Sequence, residues 1–125
     1  MVIDSGKASS VIKKSKQKSA VAPNVIHSMD AAHLLSVVNQ AKAEGMDHFL
    51  LIHDSFAVHA ADTERFAPLI REVLVDMYTE HDVFQQIDDY ARSLLTEAGA
   101  AKLPPLPAKG DLDMDQVLAS TYAFA

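Results

Sequence analysis

The stretch that most constrains the fold is residues 49–59, with the sequence Phe-Leu-Leu-Ile-His-Asp-Ser-Phe-Ala-Val-His. The apolar run 49–52 predicts a strand buried on both faces, and residues 56–58 predict a second strand after a hinge at His53-Asp54-Ser55. A carboxylate at such a hinge is held in one place, as a ligand of Mg²⁺ must be. Asp54 is therefore a candidate metal ligand, although an aspartate at a hairpin tip commonly hydrogen-bonds only its own turn.

The composition narrows the class of protein. With 125 residues, 49% of them apolar, the chain can bury one modest core. It has no cysteine, which excludes disulfides, thiolate zinc sites and cysteine nucleophiles, and its six histidines lack zinc-binding spacing. No apolar run approaches the ~20 residues of a membrane span, and the start of the chain lacks the apolar core of a signal peptide. These features predict an intracellular, soluble protein.

The charge is divided unevenly along the chain. Five lysines against one aspartate give the first 22 residues a formal charge of +4, although the whole chain carries −6. We therefore expect residues 1–20 to form a basic flexible arm or a segment that contacts a partner, and residues 21–125 to form the folded part. Such an arm suits nucleic-acid phosphates, whereas a solvated tail is the simpler alternative.

Helical patterns flank the hairpin. A turn is predicted at residues 22–24, with Ser28 or Asp30 capping a helix that ends at Gly45. The apolar stripe of this helix is predicted to comprise Leu34, Leu35 and Val38.

Further helices are predicted after Asp62 or Thr63 and after a break at His81-Asp82, the latter helix ending near Gly99. Residues 103–107 should be extended, and a short helix over about 113–119 should precede the aromatic C-terminal tail. The predicted fold class is α+β: a short antiparallel β-hairpin packed with about three to four helices. Two strands are too few to be stable alone, so we expect the fold to be incomplete without a partner chain.

Residues 51–56, Leu-Ile-His-Asp-Ser-Phe, resemble motif C of the single-subunit, bacteriophage T7-type RNA polymerases. Residues 22–30 resemble the segment that precedes motif C in that family, and residues 106–110 and 122–125 resemble its extreme C-terminus. Because these segments follow in the family's order, the chain resembles the C-terminal palm and fingers-edge portion of such a polymerase. We expect the likeness to be lost before about Lys14, which together with Met1 favours a separately translated small subunit over a fragment.

The resemblance implies a role for each matching residue. Asp54 would bind catalytic Mg²⁺ together with a second aspartate, from the family's motif A. The site would hold two Mg²⁺ ions, which the two aspartates share. His53 would lie beside the RNA 3′ end and His27 near the ribose of the incoming nucleotide. Ser55 distinguishes the motif from that of related DNA polymerases, which carry Glu there. The terminal residues expected to fold back towards the active site are Phe124 and Ala125.

Motifs A and B have no counterpart in this sequence. The resemblance therefore implies one or more larger polymerase subunits that carry them, with template DNA, RNA product and nucleoside triphosphates bound only in the assembled enzyme. The chain alone would be inactive, and its location would be the cytoplasm of an infected bacterial host.

Two alternatives stay open at the level of sequence. The chain could be a non-catalytic polymerase remnant that binds protein or RNA. It could also be a stand-alone Mg²⁺ hydrolase that uses Asp54 with Asp62, His53 or His59.

Overall fold

The structure is a computed structural model that describes residues 13–52 and 55–124. Within those residues the α+β class is confirmed: three longer helices, two helices of four and five residues, and one two-stranded antiparallel sheet. The elements in chain order are α1 (Lys14–Ala43), β1 (Leu50–Ile52), β2 (Ser55–Ala57), α2 (Thr63–Glu80), α3 (Val83–Ser93), α4 (Glu97–Ala100) and α5 (Asp115–Ala119). In the described part of the chain, none of the helices combines the length and apolarity needed to cross a membrane.

Helix α1 begins earlier than predicted. It starts at Lys14 and continues through Pro23, so the predicted turn at residues 22–24 is wrong. Pro23 removes one helical N–H donor without ending the helix. The Ser28 hydroxyl does not cap an N-terminus but donates to the Asn24 carbonyl at 2.7 Å, within the helix. His27 consequently lies inside α1, and the proposed partner contact of residues 1–20 stays a prediction.

The buried stripe of α1 also differs from the predicted one. Leu35 is 61% exposed, while Leu34 and Val38 are only half-buried. The buried residues recur at every fourth position: Met29, His33, Val37 and Ala41. The prediction failed because α1 carries apolar residues on all of its sides, so they do not mark one face. His33, being polar, was not counted among the core positions.

The end of α1 at Gly45 is confirmed. Gly45 has φ +92°, a left-handed conformation that an L side chain rarely adopts. Its N–H donates to the Lys42 carbonyl, and the Met46 N–H donates to the Ala41 carbonyl, each at 3.0 Å. This is the paired hydrogen bonding of a Schellman motif, and it turns Met46 into the core.

The core lies between the C-terminal half of α1 and α2. Its buried residues are Val37, Ala41, Met46, Phe66, Leu69 and Ile70. Arg65 links the two helices at the edge, because its guanidinium donates to both carboxylate oxygens of Glu44, at 2.8 and 2.7 Å, and to Glu72. These two glutamates raise the pKa of Arg65 above its usual value.

The hairpin packs against this core through one face only. Leu51 pairs with Phe56, and Phe49, Phe56 and Val58 contact the core. On the other face, Leu50 and Ile52 are 61% and 57% exposed. The prediction that β1 is buried on both faces is therefore wrong for the isolated chain, since its sheet has no other layer in the described residues to cover the second face.

The predicted break at His81-Asp82 is confirmed. The Asp82 carboxylate caps α3 by accepting the Gln85 backbone N–H at 3.0 Å. The helix then ends at Ser93 instead of near Gly99, and α4 follows as a separate turn. Arg92 joins α3 to α4, because it donates to Asp88 and to the Ala100 carbonyl. Residues 103–107 are neither helix nor strand, as predicted.

Candidate active site

The structure describes three of the six predicted site residues. His27 lies on the exposed part of α1, Ser55 begins β2, and Phe124 lies in the C-terminal tail. His53, Asp54 and Ala125 fall outside the described residues. Ile52 and Ser55, which flank the motif dipeptide in the sequence, are paired across the two strands.

A pocket of about 740 Å³ brings α1, β2 and the C-terminal tail together. The residues that line it are His27, Asp30, Ala31, His33, Leu34, Phe56 and Phe124. Two of the predicted site residues, His27 and Phe124, therefore share one pocket although they lie near opposite ends of the described chain. Ser55 does not line it, but its neighbour Phe56 does. The volume falls in the range of about 300–1,000 Å³ that is typical of small-molecule sites.

Among the polar residues that line this pocket, His33 is buried. It is 7% exposed, and its Nε2 lies 3.0 Å from the carbonyl oxygen of Ile70 in α2. A carbonyl oxygen can only accept, so Nε2 carries hydrogen and donates. The His33 ring centroid lies 5.5 Å from that of Phe124 and 6.2 Å from that of Phe56. His33 was not among the predicted site residues, although its four-residue spacing from Met29 and Val37 was a signal that it belongs to the buried stripe of α1.

The aromatic tail docks through a single ring. Phe124 is partly buried and packs against the core cluster, whereas Tyr122 is 83% exposed. The tail is thus attached by the aromatic side chain nearest the C-terminus. This position is compatible with the predicted return of the tail towards motif C.

The ligand chemistry at the hairpin distinguishes two kinds of metal site. The carboxylate of Asp54 offers the oxygen ligands that Mg²⁺ prefers. His48 and His59, whose ring centroids are 5.0 Å apart, offer nitrogen ligands better suited to other metals. Among residues 13–52 and 55–124, no three histidine, aspartate or glutamate side chains come close enough to hold a metal.

Residues 106–110, another segment that resembles the polymerase family, contact the junction of α2 and α3. Lys109 Nζ lies 2.8 Å from Oδ2 of Asp82. The hydrogen bond from Lys109, aided by the backbone N–H of Gln85, lowers the pKa of Asp82 below its usual value. An apolar pocket beside this ion pair is lined by residues that include Met29, Phe84 and Leu106.

Comparison with known proteins places the chain in a family. A family model described as DNA-dependent RNA polymerase matches residues 1–102, and the chain belongs to this family. The DNA-directed RNA polymerase of Enterobacteria phage K11 is 40% identical over 126 residues, which cover all of this chain and 14% of that protein. T7 RNA polymerase of Escherichia phage T7 is 41% identical over 117 residues, covering 93% of this chain and 13% of that protein.

A plant relative is matched over a larger share of its length. DNA-directed RNA polymerase 1A of Nicotiana tabacum is 31% identical, with 87% of this chain and 67% of that protein covered. The resemblance drawn from residues 51–56 is thus confirmed at the level of the family. The expected loss of likeness before Lys14 is wrong, because the family match includes residues 1–13. The chain spans only 13–14% of the length of the phage relatives.

Proposed function

We propose that the chain is the C-terminal part, present as a small subunit or fragment, of a DNA-directed RNA polymerase that synthesises RNA on a DNA template. Asp54 is one of two Mg²⁺-binding aspartates, and a larger partner polypeptide with motifs A and B supplies the other. Template DNA, RNA product and nucleoside triphosphates bind in the assembled enzyme, in the cytoplasm of an infected bacterium. The family match and the Leu-Ile-His-Asp-Ser-Phe sequence of residues 51–56 support this proposal.

The main observation that supports a partner polypeptide is the exposed apolar face of the hairpin. Leu50 and Ile52 are more than half exposed, although their sequence is typical of a central strand. Adjacent apolar side chains exposed on a strand commonly mark a surface that another protein covers. Burying a fully exposed leucine or isoleucine contributes about 1.5–3 kcal/mol, so covering the exposed part of these two side chains would stabilise the contact with a partner sheet.

The proposed chemistry is nucleotidyl transfer. Bound Mg²⁺ would make the RNA 3′-hydroxyl a better nucleophile and stabilise the leaving pyrophosphate. The Asp54 carboxylate holds metal, and His53 lies beside the RNA 3′ end. His27 and Phe124 contribute walls of the pocket next to β2, and that pocket is large enough for part of an incoming nucleotide.

The decisive experiment reconstitutes RNA synthesis from two polypeptides. The chain is mixed with a polymerase piece that carries motifs A and B, and RNA synthesis is measured with wild-type chain and with Asp54→Asn. We expect the wild-type mixture to be active, the Asp54→Asn mixture to lose at least ~10³-fold in rate, and assembly to be unchanged, because a metal ligand is lost without altering side-chain volume.

Asp47→Asn is the matched control. Asp47 lies before β1, its side chain is 65% exposed, and its contact with Lys42 at 3.4 Å is a surface ion pair of little energetic value. It should leave RNA synthesis unchanged. Full activity of the Asp54→Asn mixture would contradict the proposed role of Asp54. An assembled but inactive wild-type mixture would instead favour the non-catalytic remnant.

A further inference from the structure

His33 occupies an unusual position for a polar side chain. It is the buried polar residue of the described chain, at 7% exposure, and it lies in the same α1 stripe as Met29 and Val37. A buried imidazole without a hydrogen bond would be costly, and the bond to the Ile70 carbonyl offsets that cost. Leucine at this position would fill the space without any polar requirement, so packing alone does not account for a histidine.

Three parts of the molecule meet at the His33 ring. The Nε2–H bond to Ile70 ties the ring to α2 and fixes its orientation. Phe124 of the tail contacts the ring at a centroid distance of 5.5 Å with planes inclined by 32°. Phe56 of β2 contacts it edge-on at 6.2 Å and 75°. Both distances are in the range of about 4.5–7 Å over which aromatic rings attract one another.

We propose that His33 is a positioning residue that holds the C-terminal tail against the hairpin carrying motif C. The inference rests on the proposed function, because it assigns His33 to the nucleotide side of that same site. Phe56 follows Asp54 by two residues, and Phe124 is the next-to-last residue of the sequence. A ring bonded to α2 sets the distance between these two phenyl groups, and so sets where the tail lies relative to the metal-binding motif.

Two variants separate the two properties of the imidazole. His33→Gln keeps an N–H donor but loses the ring, whereas His33→Phe keeps a ring but loses the donor. Phe124→Ala defines the behaviour of a released tail. His81→Gln is the matched histidine control, since His81 is exposed at the end of α2 and does not line the His33 pocket.

The first test needs only the full chain. Carboxypeptidase removal of the last four residues is followed by mass spectrometry, at a temperature where circular dichroism shows every variant folded. We expect His33→Gln and His33→Phe to be trimmed at least about fivefold faster than wild type, as Phe124→Ala is, because either change weakens the attachment of the tail. His81→Gln should match wild type. Trimming of both His33 variants at the wild-type rate would overturn the inference.

The second test uses the reconstituted polymerase. We expect His33→Gln to raise the KM for nucleotide about tenfold and to change kcat less than about twofold, because the tail is displaced while Asp54 is retained. A loss of packing alone would lower the amount of active enzyme and leave KM unchanged, and that result would overturn the inference. Full RNA synthesis by Asp54→Asn would refute the proposed function instead, and the trimming rates would still decide whether His33 holds the tail.

Discussion

The packed helices and the hairpin use similar apolar residues with opposite results. Val37 in α1 and Leu69 in α2 are 0% and 1% exposed, because each helix covers the apolar side of the other. Leu50 in β1 is 61% exposed, although it belongs to a more continuous apolar run. An apolar sequence therefore specifies a surface that needs covering, and the covering element need not be in the same chain.

The hairpin is nevertheless attached to the helical core. Phe49, Phe56 and Val58 pack against the core cluster from its inner face. The inner face thus attaches the two strands to the core, and the outer face is left open to pack against another layer. An exposed outer face is what the proposed function requires of a hairpin that a partner polypeptide covers.

The same substitution in the two regions gives the largest expected difference. Leu69→Ala should lower the free energy of unfolding by about 2–5 kcal/mol, since it leaves a cavity in the core. Leu50→Ala should lower it by less than about 1 kcal/mol, because little buried contact is lost. Urea denaturation of the isolated chain, followed by circular dichroism, measures both values.

If Leu50→Ala lowered the free energy of unfolding as much as Leu69→Ala does, Leu50 would have to be covered in solution. Sedimentation of the wild-type chain would then reveal whether a second copy covers it. In the reconstituted polymerase, Leu50→Ala should weaken the assembly of the two polypeptides. In the isolated chain, the same substitution should leave the free energy of unfolding almost unchanged. That contrast would sharpen the distinction between the two regions.

Local signals in the sequence predicted the boundaries that depend on local chemistry. Gly45 marked the end of α1, Asp82 marked the start of α3, and the prolines of residues 103–107 excluded helix. The start of α1 was not predictable in this way, because Pro23 is a strong local breaker and the helix nevertheless continues through it. The continuation reflects the neighbouring helical residues on both sides, whose contribution outweighs one lost hydrogen bond.

The candidate site was predictable only in part. The resemblance of residues 51–56 pointed to Asp54, and the resemblance of residues 22–30 pointed to His27. The meeting of His27, His33, Phe56 and Phe124 in one pocket depends on tertiary packing between distant segments. Periodicity alone carries no information on such contacts, and it favoured Leu34 and Leu35 over His33 because they are apolar.

The turn that joins the two regions gives a smaller expected effect. Gly45→Ala should lower the free energy of unfolding by about 1 kcal/mol, because an L side chain at φ +92° is strained. Gly110→Ala is the matched control, since a Cβ there meets no atom within 4 Å and the glycine has no positive φ. Thermal unfolding of both variants checks this difference. Equal values would indicate that the turn relaxes and that the packed region tolerates a displaced Met46.

The smallest effect concerns the ion pair that attaches residues 106–110 to the packed region. Lys109 lowers the pKa of Asp82, so the pair stabilises the folded state above the ordinary aspartate pKa of about 3.9. That contribution is lost as the pH falls through the lowered pKa of the folded state, because the carboxylate is then protonated. Lys109→Met should therefore be less stable than wild type at about pH 6, and the difference should disappear near about pH 2. Urea denaturation at both pH values measures it, and Asp82→Asn should abolish the effect of Lys109→Met at either pH. A difference that is the same at both pH values would mean that Lys109 acts through its methylene groups and not through its charge.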